Sequence, residues 1–155
     1  MTAGRCVLQV GFYHLTRSRL EEALPRLLEK VLEAGQRAVV RVADGEQLEL
    51  LNRALWTYRR ESFLPHGTRA DGFAERQPIY LTAGLENPNG ARVLVLVGGA
   101  STEGMADYAR CLDLFDGNDP EAVAAARARW RAAREAGHEL VYWQQKEGGG
   151  WQRAR

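Results

Sequence analysis

Apolar positions in the first third of the chain follow two periods, the alternation of a strand and the wider spacing of a helix. Residues 6–10 form a short, mostly apolar run that predicts a first strand. A capping box of Ser18 and Glu21 precedes leucines and valines that recur at helical spacing over 20–32, which predicts a helix. Pro25 falls inside this pattern and predicts a kink or a later start of the helix.

A second strand–helix unit follows and ends at Trp56. Residues 38–42 contain three valines and predict a strand. Asp44 then predicts the N-cap of a helix that carries Gln47 at its third position. Beyond Trp56 the pattern breaks into loops that contain several prolines and glycines, with one short strand at 79–82.

The last third contains the most apolar segment of the chain. Residues 93–97 are all valine or leucine, which is typical of a strand buried on both faces of a sheet. The pattern then predicts a short helix near 105–110, a strand at 111–115, a helix capped by Asp119 and a last strand at 140–143.

This alternation of strands and helices predicts an α/β fold. We expect a three-layer α/β/α sandwich around a mostly parallel sheet, with room for an antiparallel edge strand. At 155 residues the chain is long enough for one domain, which we expect to span residues 1–145. Residues 146–155 contain three consecutive glycines, and we expect them to form a flexible C-terminal tail.

Composition and charge exclude several classes of protein. A formal net charge of +1 is far from the basic surplus of a protein that coats nucleic acid non-specifically, so an anionic partner must meet a local patch. The two cysteines lack CxxC spacing, which excludes a disulfide framework and a zinc site of that pattern. No apolar run approaches the roughly 18 residues that span a membrane, so we expect no membrane partner and a cytoplasmic protein.

No catalytic constellation can be named from the sequence. Its histidines stand alone, without HExxH spacing or a GxSxG serine. Gly98-Gly99 follows a buried strand and could cradle a phosphate, but neither GxGxxG nor GxxxxGK[ST] is present and a tight turn is the commoner role. We expect no catalytic residue, no metal and no cofactor. A nucleotide-binding enzyme that uses this turn is the alternative.

Large aromatic residues surround an arginine pair between positions 56 and 67. Trp56, Tyr58 and Phe63 flank Arg59-Arg60 in a predicted loop, a mixture typical of hot spots in protein interfaces. On composition alone, these aromatic rings could equally close the core beneath the loop.

One face of the predicted late helix combines positive charge with an apolar anchor. At about 100° per residue, that face carries Val123, Arg127, Trp130, Arg131 and Arg134. An acidic peptide that ends in a hydrophobic residue would satisfy it, since guanidinium groups bind carboxylates and Trp130 can pack the apolar end. The alternatives are a solvated arginine face with Trp130 packed into the core, and a surface that binds nucleic acid directly.

Two segments resemble the chi subunit family of DNA polymerase III. The first is Ala54-Leu55-Trp56 with Glu61-Ser62-Phe63-Leu64-Pro65-His66, and the second is 126–131 with Ala136-Gly137. The resemblance runs from the first strand to about Trp143. It implies a nucleotide-fold-like sheet without catalytic activity, in a subunit of the DNA-directed DNA polymerase complex that is not an enzyme by itself.

The resemblance also implies a partner for the late helix. In the family, the acidic, phenylalanine-terminated tail of single-stranded DNA-binding protein binds at the positions of Arg127, Trp130 and Arg131. Val123 and Arg134 complete the same face here.

The resemblance also implies a second binding surface, which lies on the segment between Trp56 and His66. By the resemblance, Trp56, Phe63, Leu64 and Pro65 would hold the psi subunit or another clamp-loader component. The expected function is a non-catalytic accessory subunit that links the clamp-loader complex to single-stranded DNA-binding protein during replication, and that reaches DNA only indirectly.

Overall fold

The computed structural model describes residues 8–57, 65–147 and 150–154. Within these ranges the strands are β1 (Gln9–Leu15), β2 (Ala38–Arg41), β3 (His66–Gly67), β4 (Ile79–Thr82), β5 (Val93–Val97), β6 (Arg110–Asp116), β7 (Glu139–Gln145) and β8 (Trp151–Arg153). The α-helices are α1 (Leu20–Glu33), α2 (Gly45–Trp56) and α3 (Pro120–Glu135). Short 3-10 helices lie in the connections at Arg69–Asp71, Ala74–Arg76 and Met105–Asp107.

All of these strands form one sheet, in the order β3-β4-β2-β5-β6-β1-β7-β8. Neighbouring strands run parallel except for β7 and β8, which pair antiparallel at one edge. The predicted α/β fold, with a mostly parallel sheet and an antiparallel edge, is therefore confirmed. Within the sheet β1 lies between β6 and β7, so Phe12 has Asp113 on one side and Tyr142 on the other.

Each face of the sheet has its own apolar core, because successive side chains of a strand point to opposite faces. Tyr13 packs with leucines of α1 and α2 on one face, and Phe12 packs with Ala126 of α3 on the other. All residues of β2 and β5 are buried, as the run of apolar residues at 93–97 predicts. Helices therefore cover both faces of the sheet, which gives the expected three layers.

Helix α1 begins one residue later than the predicted capping box. The backbone N–H of Arg19 donates to the carboxylate of Glu22 at 3.1 Å, so Arg19 rather than Ser18 is the N-cap residue. The hydroxyl of Ser18 instead accepts a hydrogen bond from Gln145 Nε2 at 2.8 Å. The helix runs through Pro25, so the expected later start is wrong.

The other two helices begin where the sequence predicts. Asp44 caps α2 and Asp119 caps α3, with side chains that accept backbone N–H groups at 2.9 and 3.0 Å. The predicted short helix at 105–110 is instead a single 3-10 turn, Met105–Asp107. An α-helix does not fit there because β6 already begins at Arg110.

The C-terminal residues also differ from the expectation. A flexible tail is predicted over 146–155, whereas Trp151–Arg153 forms β8 and pairs with residues 143–145 of β7. Trp151 holds this strand by packing edge-to-face on Tyr13, with ring centroids 5.1 Å apart. The glycine-rich composition of the segment does not indicate this contact, because Tyr13 is distant in sequence.

Candidate binding site beside helix α3

Small side chains let α3 lie against the sheet. Ala126 and Ala133 are its buried residues, and the helix packs on β1, β6 and β7. Val123 and Trp130 pack at the edge of the same core and remain partly exposed. The predicted binding face is therefore one flank of the helix, half in the core and half in solvent.

The structure brings Arg127 and Trp130 to one cavity of about 250 Å³ between α3 and β7. The other residues that line this cavity are His14, Tyr142, Gln144 and Ala154. Arg131 and Arg134 are exposed on the helix beyond the cavity, and Val123 does not line it either. The five predicted residues are thus divided between the cavity and the surface around it.

Trp130 belongs to the core and also forms a wall of the cavity. Its ring packs edge-to-face on Phe12 at 5.3 Å and on Tyr142 at 5.7 Å between centroids. The Tyr142 hydroxyl and His14 Nδ1 are 2.6 Å apart and share a hydrogen bond. These contacts hold the indole in place, so an apolar ligand group would meet a pre-organised surface. Core packing of Trp130 therefore does not exclude a role in binding.

Positive charge lies along the α3 side of this apolar cavity. Arg127, Arg131 and Arg134 are exposed, and none of them forms an ion pair with a carboxylate in the described part of the chain. A guanidinium is a planar donor fork that binds carboxylates in pairs of hydrogen bonds. The arrangement suits an anionic ligand that carries an apolar group.

Arg129 lies on another flank of α3 and has a structural role. Its guanidinium donates to both carboxylate oxygens of Asp113, at 2.7 and 3.0 Å. Burial raises the pKa of Asp113, and the ion pair with Arg129 opposes that rise. Because Arg129 is committed to this pair, the helix presents fewer arginines to a nucleic acid than its sequence suggests. That weakens the direct nucleic-acid-binding alternative.

The second predicted surface lies at the end of α2. Trp56 is 56% exposed, and its ring centroid lies 4.7 Å from that of His66. Core closure therefore does not account for Trp56. Pro65 is partly buried just before β3. Phe63 and Leu64 lie outside the described residues.

Comparison with known proteins gives a match to the family model of the DNA polymerase III chi subunit, HolC, over residues 8–141. The chain belongs to this family. It is 33% identical over 137 residues to the DNA polymerase III subunit chi of Pseudomonas aeruginosa, a match that covers 85% of this chain and 93% of that protein. It is 42% identical over 89 residues to the probable DNA polymerase III subunit chi of Rickettsia prowazekii, which covers 57% of this chain. The chain spans about half the length of that relative, 54%.

The chi family match ends inside β7, and several residues that line the α3 cavity lie beyond it. Tyr142, Gln144 and Ala154 follow residue 141, whereas His14 lies within the match. Sequence reasoning missed all four. Strand alternation could have placed Tyr142 and Gln144 on one face of β7. Nothing in the sequence indicated Ala154, because β8 was not expected.

The Gly98-Gly99 turn has the geometry of a tight turn in this chi-family chain. Residues 98–99 have φ values of +62° and +80°, which favour glycine. The following loop is held by the buried Arg41, whose guanidinium donates to the carbonyls of Ser101 and Glu103 at 2.8 and 2.7 Å. A phosphate cradle uses the N-terminus of an α-helix, whereas only a 3-10 turn lies between β5 and β6. The geometry therefore does not favour a nucleotide-binding enzyme.

No helix in residues 8–57, 65–147 and 150–154 is long and apolar enough to cross a membrane. In the same ranges, no group of three or more His, Cys, Asp and Glu side chains is placed to hold a metal ion.

Proposed function

We propose that this chain is a non-catalytic accessory subunit of the bacterial DNA polymerase III holoenzyme that links the clamp-loader complex to single-stranded DNA-binding protein in the cytoplasm. Membership of the chi family supports a place in the polymerase complex. The observation that carries the link is the meeting of Arg127 and Trp130 at an apolar cavity of about 250 Å³.

The acidic tail of single-stranded DNA-binding protein, ending in phenylalanine, suits this site in charge and in chemistry. Its aromatic side chain would enter beside Trp130 and Tyr142, where an aromatic pair contributes about 0.5–1.5 kcal/mol beyond burial. Arg127 at the cavity and Arg131 one turn further along α3 would bind carboxylates of the tail. Val123 and Arg134 extend the apolar and the charged parts of the same flank.

The clamp-loader side of the link is assigned to Trp56, Phe63, Leu64 and Pro65. The exposure of Trp56 supports this assignment, and the partner is the psi subunit or another clamp-loader component. Pro65 leads into β3, at one edge of the sheet, whereas the α3 cavity borders β7 near the other edge. Both partners could therefore bind at once, and DNA would be reached only through single-stranded DNA-binding protein.

Titration of a fluorescent peptide with the sequence of the cognate tail tests this function. Arg127→Glu should weaken binding tenfold or more, because a hydrogen bond to a charged group is worth about 1.5–3 kcal/mol and ~1.4 kcal/mol is a factor of ten. Arg53→Glu is the matched control, since Arg53 is an exposed arginine of α2. It should bind the tail like the wild type.

Salt provides a second criterion for the same titration. Exposed charges are screened over roughly 8 Å at physiological ionic strength, so binding should weaken as salt is added. Circular dichroism should show Arg127→Glu folded, because an exposed substitution changes stability by about 0.5 kcal/mol or less. If neither added salt nor Arg127→Glu changes the affinity for the peptide, the tail binds at another site and the proposal is contradicted.

A further inference from the structure

A groove lies on the face of β6, β1 and β7 that is opposite to the α3 cavity, between α1 and β8. It consists of two cavities, of about 360 and 220 Å³. Tyr13, Arg110, Leu112 and Trp143 line both cavities, so the two form one continuous groove. No part of the proposed function uses this surface.

Three aromatic rings from neighbouring strands line the larger cavity. Tyr13 and Trp143 are stacked, with centroids 6.5 Å apart and ring planes 19° from parallel. Trp151 packs edge-to-face on Tyr13. Because Trp143 and Trp151 remain partly exposed, the groove presents indole surface to any planar group that enters it.

Two cations accompany these rings. Lys30 in the last turn of α1 and Arg110 at the start of β6 line the groove, and both are exposed. Neither forms an ion pair with a carboxylate in the ranges that the structure describes. Burial raises the pKa of Tyr13, and Arg110 opposes that rise, as expected for a guanidinium close to the phenol. One carboxylate, Glu139, lines the smaller cavity and accepts a hydrogen bond from Gln9 at 3.3 Å.

We propose that this groove binds single-stranded DNA, with bases packed on Trp143 and Trp151 and phosphates paired with Lys30 and Arg110. Aromatic surfaces beside cations are the means by which single strands are bound without sequence preference. An acidic peptide would satisfy the cations, but a nucleotide supplies both a planar ring and an anion in one repeating unit. Two cations meet few phosphates, so the interaction is weak and depends on salt.

The groove and the α3 cavity are separable because they use opposite faces of the same strand. Trp143 points into the groove, whereas Tyr142 and Gln144 line the α3 cavity. The inference departs from the proposed function in one point, because there DNA is reached only through a partner. It does not depend on the tail site or on the clamp-loader surface.

Fluorescence anisotropy with the full chain alone tests the proposal. The probe is fluorescein-labelled oligothymidine of about ten nucleotides, within the usual site sizes of single-strand binding folds. With two phosphate contacts, the logarithm of the binding constant should fall with the logarithm of salt with a slope of about −1.4. A double variant, Lys30→Gln with Arg110→Gln, should lose most of this slope, whereas Arg53→Gln should behave like the wild type.

The aromatic part is tested with Trp151→Ala, which should weaken binding by about five- to 150-fold, the range for one lost stacked base. If Trp151→Ala disturbs β8, the charge variants decide, because they leave the three aromatic side chains unchanged. The proposal is overturned if the wild type does not bind the oligonucleotide at low salt, or if the double variant binds like the wild type. The proposal is also overturned if free thymidine monophosphate, at the same concentration as the oligonucleotide, competes with it for the groove. Displacement of the oligonucleotide by the acidic tail peptide would overturn it as well.

Discussion

Replacing Arg129 with alanine should destabilise the protein far more than replacing an exposed arginine of the same helix. The Asp113 side chain is only 3% exposed, and both of its oxygens accept hydrogen bonds from Arg129. Removing one partner of a buried ion pair leaves an uncompensated charge, which costs about 3–5 kcal/mol. For a chain of this size ~1 kcal/mol shifts the melting temperature by about 2–4 °C, so the expected fall is about 6–20 °C.

The loss should depend on pH with a defined sign. Burial raises the pKa of Asp113 above its ordinary value of 3.8, and removal of Arg129 would raise it further. A carboxyl group with a raised folded-state pKa binds more protons in the folded state, so stability is lost as pH rises from 3.8 through the folded-state pKa. Arg129→Ala should therefore recover part of its stability under mildly acidic conditions, where Asp113 is protonated in the fold.

Urea unfolding at neutral and mildly acidic pH measures both effects. Arg131→Ala is the matched control, because this arginine is exposed and its loss should change stability by about 0.5 kcal/mol or less. Adding Asp113→Asn to Arg129→Ala should restore part of the stability at neutral pH, because the buried side chain is then neutral. If Arg129→Ala unfolds like Arg131→Ala, or if Asp113→Asn restores nothing, the buried-charge argument is refuted.

Two further predictions concern other parts of the molecule. Trp56→Ala should weaken capture of the psi subunit or another clamp-loader component and leave tail-peptide binding unchanged, as measured by pull-down and peptide titration; normal capture of every partner would contradict it. Gln145→Ala should lower the free energy of unfolding by about 1–3 kcal/mol, since Gln145 Oε1 accepts the backbone N–H groups of residues 16–18 at 3.2, 2.8 and 3.0 Å. Gln145→Glu, which keeps an acceptor, should retain most of that stability in urea unfolding, and equal losses in both variants would contradict the reasoning.

Features set by neighbouring residues could be predicted from the sequence. Asp119 and Pro120 locate the start of α3, and the apolar run at 93–97 predicts a strand buried on both faces. Both signals act within one turn of helix or one strand, so no knowledge of the partner elements is needed. The charged flank of α3 was predictable for the same reason, since helical spacing alone places its residues together.

Features that depend on distant partners could not be predicted. The first strand is expected at 6–10, whereas β1 spans Gln9–Leu15, and residues 6 and 7 lie outside the described ranges. The polar atoms of His14 and Tyr13 break the apolar pattern, yet His14 shares a hydrogen bond with Tyr142, 128 residues away in sequence. The periodicity of apolar residues gives no information about such a contact. For this reason the cavity beside α3 could not be predicted, whereas the charged face of the helix could.

Strand β7 connects the two candidate surfaces, because its alternate residues face opposite sides of the sheet. Tyr142 and Gln144 line the α3 cavity, and Trp143 lines the groove on the other face. The C-terminal segment has the same division, with Trp151 of β8 in the groove and Ala154, which directly follows β8, in the cavity. Loss of the β7–β8 pairing would therefore remove a wall from both surfaces at once. Deleting the C-terminal strand cannot separate the two proposed binding activities, whereas side-chain substitutions on one face can.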